Sequence, residues 1–346
     1  TGTYRFSLNG SGTARLWVND QEIAQLVEGG ESAGNGLLDL VASTPVSIRV
    51  EYASVAGAIV APSALRLGWQ PRQDELQRQA VEAARNADVA VVFVSDLISE
   101  GMDRTTLALP ADQDQLVSAV AAANPRTIVV LNTGGAVLMP WLGQVSGVLA
   151  AWYPGQEYGN ALAAVLFGDV NPSGKLPQTF PARDGQGPIQ SRSQFPGVGA
   201  TARYDEDILV GYRWYDTKGL QPLFPFGHGL SYTTFGYDNL QVKRDGEKMT
   251  VTVRVTNTGK RAGAEVVQLY VGSPAAAKAP PRQLKAFNKV TLAPGGSTPV
   301  TLELEPEALA SWDTSAHRWT THPGTYTLHV GSSSRDLRAE TSITVP

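Results

Sequence analysis

Asp88-Val89-Ala90-Val91-Val92-Phe93-Val94, followed after four residues by Ser99-Glu100-Gly101-Met102-Asp103-Arg104 and then Thr105-Thr106-Leu107-Ala108-Leu109-Pro110, is the stretch from which the fold is read. The apolar run has the length and β-branched content of a fully buried strand. In open α/β folds, ligands collect at the carboxyl ends of such strands. Glu100 is therefore expected on a loop at a functional end, with flexible Gly101 beside it. A carboxylic acid held there can donate a proton to a leaving oxygen. Taken alone, a single Glu on a polar loop reads as a solvated side chain.

On either side of this stretch the chain alternates helix and strand. Asp74 to Asn86 reads as a helix, with Asp74 as N-cap and Leu76, Ala80, Val81 and Ala84 on an apolar face. Asp112 to Ala123 is a second helix, ended by Asn124-Pro125. Thr127-Ile128-Val129-Val130-Leu131 is a second buried strand and Val145 to Ala151 a third. Gln156 to Phe167 is a third helix, stopped by Gly168. Short connections in this order predict a doubly wound, mostly parallel sheet. The Gly-rich turn Asn132-Thr133-Gly134-Gly135 could cradle phosphate, but neither a P-loop nor a dinucleotide fingerprint stands between strand and helix.

Farther out the chain is all β. Before residue 70, Tyr4, Phe6 and Leu8 alternate with Arg5 and Ser7. Arg15-Leu16-Trp17-Val18 runs into the turn pair Asn19-Asp20. Val46, Ile48, Val50 and Tyr52 alternate, as do Leu65, Leu67 and Trp69. Asn9-Gly10-Ser11 is a glycosylation sequon. Residues 181 to 203 read as a long loop. Tyr204 to Tyr215 is aromatic and charged, and either lines a sugar site or packs a domain seam. From Phe235 onward, roughly seven short strands predict an immunoglobulin-like sandwich. They include Met249–Val255, Val266–Val271, Leu284–Phe287, Val300–Leu304 and Tyr326–Gly331.

Composition narrows the possibilities. The chain has 346 residues, 42% hydrophobic and 17% charged, with net charge −4 and no cysteine. That describes a multidomain globular protein without disulfides or thiolate metal sites. No basic run points to nucleic acid, and no apolar run is long enough to span a membrane. His228 is read as a structural hydrogen-bonding residue. His317, His322 and His329 fit no metal signature.

Four motifs in order resemble the C-terminal α/β domain of glycoside hydrolase family 3. They are Glu100 to Gln113 (Glu-Gly-x-Asp-Arg-x-x-Leu-x-Leu-Pro-x-x-Gln), Trp152-Tyr153-Pro154-Gly155-Gln156-Glu157, Leu166 to Pro177, and Gly211-Tyr212-Arg213-Trp214-Tyr215-Asp216 with Pro225 to Tyr232. The resemblance covers roughly residues 70 to 346. It implies a division into 1–70, half of a protective-antigen-type β-sandwich; 71–217, the α/β sandwich domain; 218–234, a linker; and 235–346, a fibronectin type III-like β-sandwich. The fold class is thus α/β plus all-β, an α/β sandwich with a mostly parallel sheet flanked by two β-sandwiches. In such enzymes the first sandwich can overhang the active-site mouth; here it is equally a structural module.

The resemblance further implies retaining hydrolysis of β-glycosides by double displacement. Glu100 matches the family's acid/base, expected to start protonated in the assembled site. Asp103 could raise its pKa by repulsion and Arg104 oppose that, though both are expected mainly to brace the loop. The family's nucleophile is an aspartate in a Ser-Asp-Trp-type motif of an N-terminal (β/α)₈ barrel; this sequence holds no such motif. The chain therefore reads as the C-terminal piece of a longer enzyme, cut inside the insertion. Expected partners are a β-glucoside substrate and the barrel-bearing portion, with a homo-oligomer possible and neither nucleic acid nor membrane expected. No metal or organic cofactor is implied. β-Glucosidase leads β-xylosidase among activities, and a secreted or periplasmic location fits. The competing reading is a noncatalytic carbohydrate-binding or scaffold protein. A serine hydrolase fails for want of a Gly-x-Ser-x-Gly elbow.

Overall fold

The β-branched runs and turn pairs above become strands and hairpins in the computed structural model. It describes residues 1–10, 12–27, 33–54, 65–71, 73–98, 100, 104–246 and 248–346. Ser11 of the sequon and Ser99, Gly101, Met102 and Asp103 of the acidic stretch lie outside the described residues. Two compact units emerge, one of Thr1–Val92, Gln115–Ile128 and Gln144–Gly147, the other of Phe93–Asp114, Val129–Gly143 and Val148–Pro346.

Six strands open the chain: β1 (Gly2–Gly10), β2 (Thr13–Val18), β3 (Gln21–Leu26), β4 (Ala33–Leu40), β5 (Ile48–Ala53) and β6 (Leu65–Pro71). They form two three-stranded antiparallel sheets, β4-β1-β6 and β3-β2-β5. Asn19 and Asp20 both take positive φ (50° and 63°), the twist a two-residue hairpin needs. The alternating side chains Phe6, Leu8, Ala14, Leu16 and Val18 form the core. Val46 packs on that core, but Ile48, Val50 and Tyr52 of β5 are exposed. β5 is an edge strand, and all six of its residues are exposed.

Next come α1 (Gln73–Arg85), β7 (Ala90–Ser95), α2 (Gln113–Ala123), β8 (Thr127–Asn132), β9 (Gly147–Ala150), α3 (Tyr158–Leu166) and α4 (Tyr212–Thr217). Asp74 lies inside the first turn of α1 rather than capping it. The sheet order is β7-β8-β9. Ser146 N–H donates to Thr127 O at 2.8 Å and Ala151 N–H to Leu131 O at 2.9 Å, so β8 and β9 run in the same direction. Val129, Val130 and Leu131 of the central strand are all buried. β7 departs from the fully buried reading: Val92 and Val94 are buried, while Val91 is 39% and Phe93 55% exposed. Phe93 meets the Tyr158 ring of α3 edge-on at 6.3 Å, which covers it only in part.

The rest is β10 (Phe235–Asp245), β11 (Lys248–Asn257), β12 (Gly263–Gly272), β13 (Gln283–Leu292), β14 (Ser297–Leu304), β15 (Ser311–Asp313), β16 (Arg318–Thr320), β17 (Gly324–Gly331) and β18 (Leu337–Val345). Antiparallel sheets β10-β11-β14 and β13-β12-β17-β18 enclose a core of Met249, Val251, Val253, Val255, Leu269 and Leu328 with their neighbours. β15 and β16 form a separate hairpin. Among the described residues no helix is long and apolar enough to cross a membrane.

Aromatic and buried charged side chains join α4 and the segment after it to this sandwich. Tyr212 stacks on Phe226 (4.9 Å) and meets Tyr270 edge-on (5.9 Å), and its hydroxyl accepts the Leu284 N–H at 2.7 Å. Asp216, 1% exposed, lies 3.1 Å from Arg282 and 2.7 Å from Arg335. Neither carboxylate oxygen meets a donor in hydrogen-bond alignment, so charge rather than a directed bond makes this joint. Lys175 and Glu265 pair at 2.9 Å. Gly227 has φ +80°, and a Cβ there would lie 2.3 Å from the Gln268 amide oxygen. Tyr212 therefore packs the seam, and Tyr215 is buried. At His228 the expected hydrogen bonds are main-chain ones, while the imidazole stacks on Phe224 at 5.0 Å.

Candidate acid/base site

Parallel strands deliver their loops to one end of the sheet, and here the loops after β7, β8 and β9 meet at one carboxylate. Asp96 follows β7 directly and its side chain is 2% exposed. Its Oδ2 pairs with Arg104 Nη1 at 2.9 Å. Its Oδ1 accepts the Gly134 N–H, after β8, at 3.1 Å, and the Tyr153 hydroxyl, after β9. Arg104 also donates to the carbonyls of Thr106 and Ala136, each at 3.3 Å. Donating to the Asp96 carboxylate holds the Tyr153 phenol above the ordinary tyrosine pKa, and partial desolvation adds to this.

The local sequence explains the convergence. Gly134 packs closely: a Cβ there would stand 2.3 Å from Ile98 Cδ1 and 2.8 Å from the Tyr153 ring. Its N–H is committed to Asp96, so the Gly-rich turn forms an internal joint rather than a phosphate cradle. Trp152 takes φ +57°, turning the chain sharply after β9. Gln113, last residue of the first motif, fastens the end of β7 to α2: its Oε1 accepts the Ser95 N–H at 2.8 Å and its Nε2 donates to Ser95 O at 2.8 Å and Pro110 O at 2.9 Å. Asp184, from the long loop, accepts the Thr106 hydroxyl at 2.6 Å and the Leu107 N–H at 2.8 Å.

Glu100 lies on a turn beyond β7 with its side chain exposed. Among the described residues no hydrogen bond or ion pair occupies its carboxylate. Arg104 braces this region through Asp96; Asp103 falls outside the described residues. Sequence reasoning missed Asp96, although an acidic residue just past a β-branched strand is a readable signal. Tyr153 stood inside a quoted motif without a role. Among the described residues no cluster of three His, Asp or Glu side chains could hold a metal ion, and His329 pairs with Glu340 at 3.1 Å.

A three-stranded sheet with Asp96 and Glu100 beyond the end of β7 is followed by a β-sandwich, and the comparisons with known proteins place both parts in one class of hydrolase. The family model "Glycosyl hydrolase family 3 C-terminal domain" matches residues 7–232, and the fibronectin type III-like model matches 265–334. The chain belongs to glycosyl hydrolase family 3. A β-glucosidase of Rhizobium radiobacter is 42% identical over 370 residues, covering 100% of this chain and 45% of that protein. Thermostable β-glucosidase B of Acetivibrio thermocellus is 45% identical over 280 residues, covering 79% of this chain and 37% of that protein. The crystal structure of a β-glucosidase from Kluyveromyces marxianus in complex with glucose superposes with a TM-score of 0.87 at 34% identity, covering 100% of this chain and 43% of that one. The chain thus spans less than half the length of these relatives.

Proposed function

We propose that this chain supplies the acid/base half of a retaining β-glucosidase, with Glu100 as the catalytic acid/base and the nucleophilic aspartate on a separate barrel-bearing portion. The observation that carries this reading is the place of Glu100 in its family motif, exposed on a turn beyond β7 and four residues after Asp96, the carboxylate where three strand-end loops converge. The substrate class, terminal β-D-glucosides, is taken from the similar proteins, which are named β-glucosidases. In this reading residues 1–70 form part of an insertion sandwich, 71–217 carry the acid/base, 218–234 link, and 235–346 brace the α/β part.

Two carboxylates share the chemistry. The barrel aspartate attacks the anomeric carbon while the Glu100 carboxyl gives its proton to the departing glycosidic oxygen. Glu100, now a carboxylate, takes a proton from the water that hydrolyses the glycosyl-enzyme. The burial that favours a protonated starting state comes with docking of the barrel-bearing portion. The exposed apolar side chains Val91 and Phe93 of β7 are in keeping with such a docked portion.

Azide rescue tests the assignment in the assembled enzyme. Glu100→Ala should lower the rate on a β-glucoside with a good leaving group by about 10²-fold or more, because deglycosylation loses its base. Added azide, which needs no base, should restore turnover and yield the β-glucosyl azide. Full activity in Glu100→Ala, or a rate loss that azide leaves untouched, would remove Glu100 from the role.

A further inference from the structure

Glu100 lies midway in sequence between Asp96 and Arg104, and those two side chains are bonded to each other. The ion pair therefore ties together the two ends of the stretch that carries Glu100. Its surroundings fix it further. Ser95, just before Asp96, has both its N–H and its carbonyl held by Gln113. The Arg104 guanidinium meets two main-chain carbonyls besides Asp96. The Asp96 carboxylate accepts from Gly134 and Tyr153, so the β8 and β9 loops lock the same point. Asp96 is almost fully buried, and a buried carboxylate this fully bonded holds its neighbours within a narrow geometry.

We infer that Asp96 is a positioning residue for catalysis: with Arg104 it forms a clasp that aims Glu100 at the glycosidic oxygen, and Tyr153 sets the clasp's orientation. This rests on the acid/base reading of Glu100. The chemistry it affects is proton delivery. A leaving group that departs without a proton has no need of an aimed acid, whereas a poor leaving group does. A pair that merely stabilises the fold would affect both alike.

The test uses the assembled enzyme and two substrates, 2,4-dinitrophenyl β-glucoside and an alkyl β-glucoside. Asp96→Asn should cut kcat/KM, which reports the step in which the leaving group departs, at least about tenfold more on the alkyl glucoside than on the dinitrophenyl one, the same bias as Glu100→Gln in weaker form. Tyr153→Phe leaves the ion pair in place and should show the bias at a few-fold level; it decides the matter if Asp96→Asn fails to fold. Equal losses on both substrates in a folded Asp96→Asn enzyme, or no bias in Tyr153→Phe, with the bias intact in Glu100→Gln, would overturn the clasp and leave the acid/base reading standing. Absence of the bias in Glu100→Gln itself would overturn both.

Discussion

Asp96, Glu100 and Arg104 show how much a short stretch can hold and how little of it reads linearly. The turn position of Glu100 beyond β7 was legible from the apolar strand that precedes it. The partner of Arg104 was not: the sequence offers adjacent Asp103, while the fold brings Asp96 to it at 2.9 Å and draws in Gly134 and Tyr153 from other loops. Tertiary convergence at strand ends leaves no periodic trace, so only the acid's place just past β7 hinted at it. His228 carries a prediction at this scale. Burial, then the charge of Lys175, lowers its pKa, against a smaller opposing effect of Asp336. A folded pKa below the unfolded one means the unfolded chain binds the proton more readily. The associated stability is complete above the unfolded value of about 6.5 and is lost as pH falls through it. His329, lowered mainly by burial, adds to the same slope. Replacing His228 with Phe keeps a ring against Phe224 and should make the fall in Tm between about pH 7 and pH 5 shallower. Melts across that range check it; an unchanged slope would contradict the assignment.

At the scale of elements, periodicity served best where both faces of an element are covered, or where one is and the other is polar. β8 and β11 match their patterns because Val129–Leu131 and Met249–Val255 meet the neighbours those patterns demand. β7 and β5 carry core-type side chains that remain in water, since a pattern records what a strand needs and not whether its partner is present. The short helix α4 was invisible as a helix: its six residues are too few to show a period. Its aromatic content nevertheless pointed to the seam, where Tyr212 packs. The charged part of that seam is Asp216 between Arg282 and Arg335. Asp216→Asn would leave two guanidinium groups facing a neutral amide in a largely buried joint and should cost about 3–5 kcal/mol. Urea denaturation of the chain measures it, and a loss under about 1 kcal/mol would mean that the packing of Tyr212 on Phe226 and Tyr270 carries the joint alone.

For the whole molecule, the division of labour is the central point. In the proposed reading this chain supplies one of the two carboxylates that a retaining glycosidase needs, about 5–5.5 Å apart across the scissile bond. Its relatives extend to more than twice the length matched here, and Val91 and Phe93 of β7 are exposed. The most direct measurement mixes the pure chain with a separately purified barrel-bearing portion and follows hydrolysis of an aryl β-glucoside. The prediction is no turnover from either alone, turnover from a complex that contains both, and loss of that turnover with Glu100→Gln on a poor leaving group. Hydrolysis by the chain alone, or undiminished hydrolysis by a complex carrying Glu100→Gln, would contradict the account.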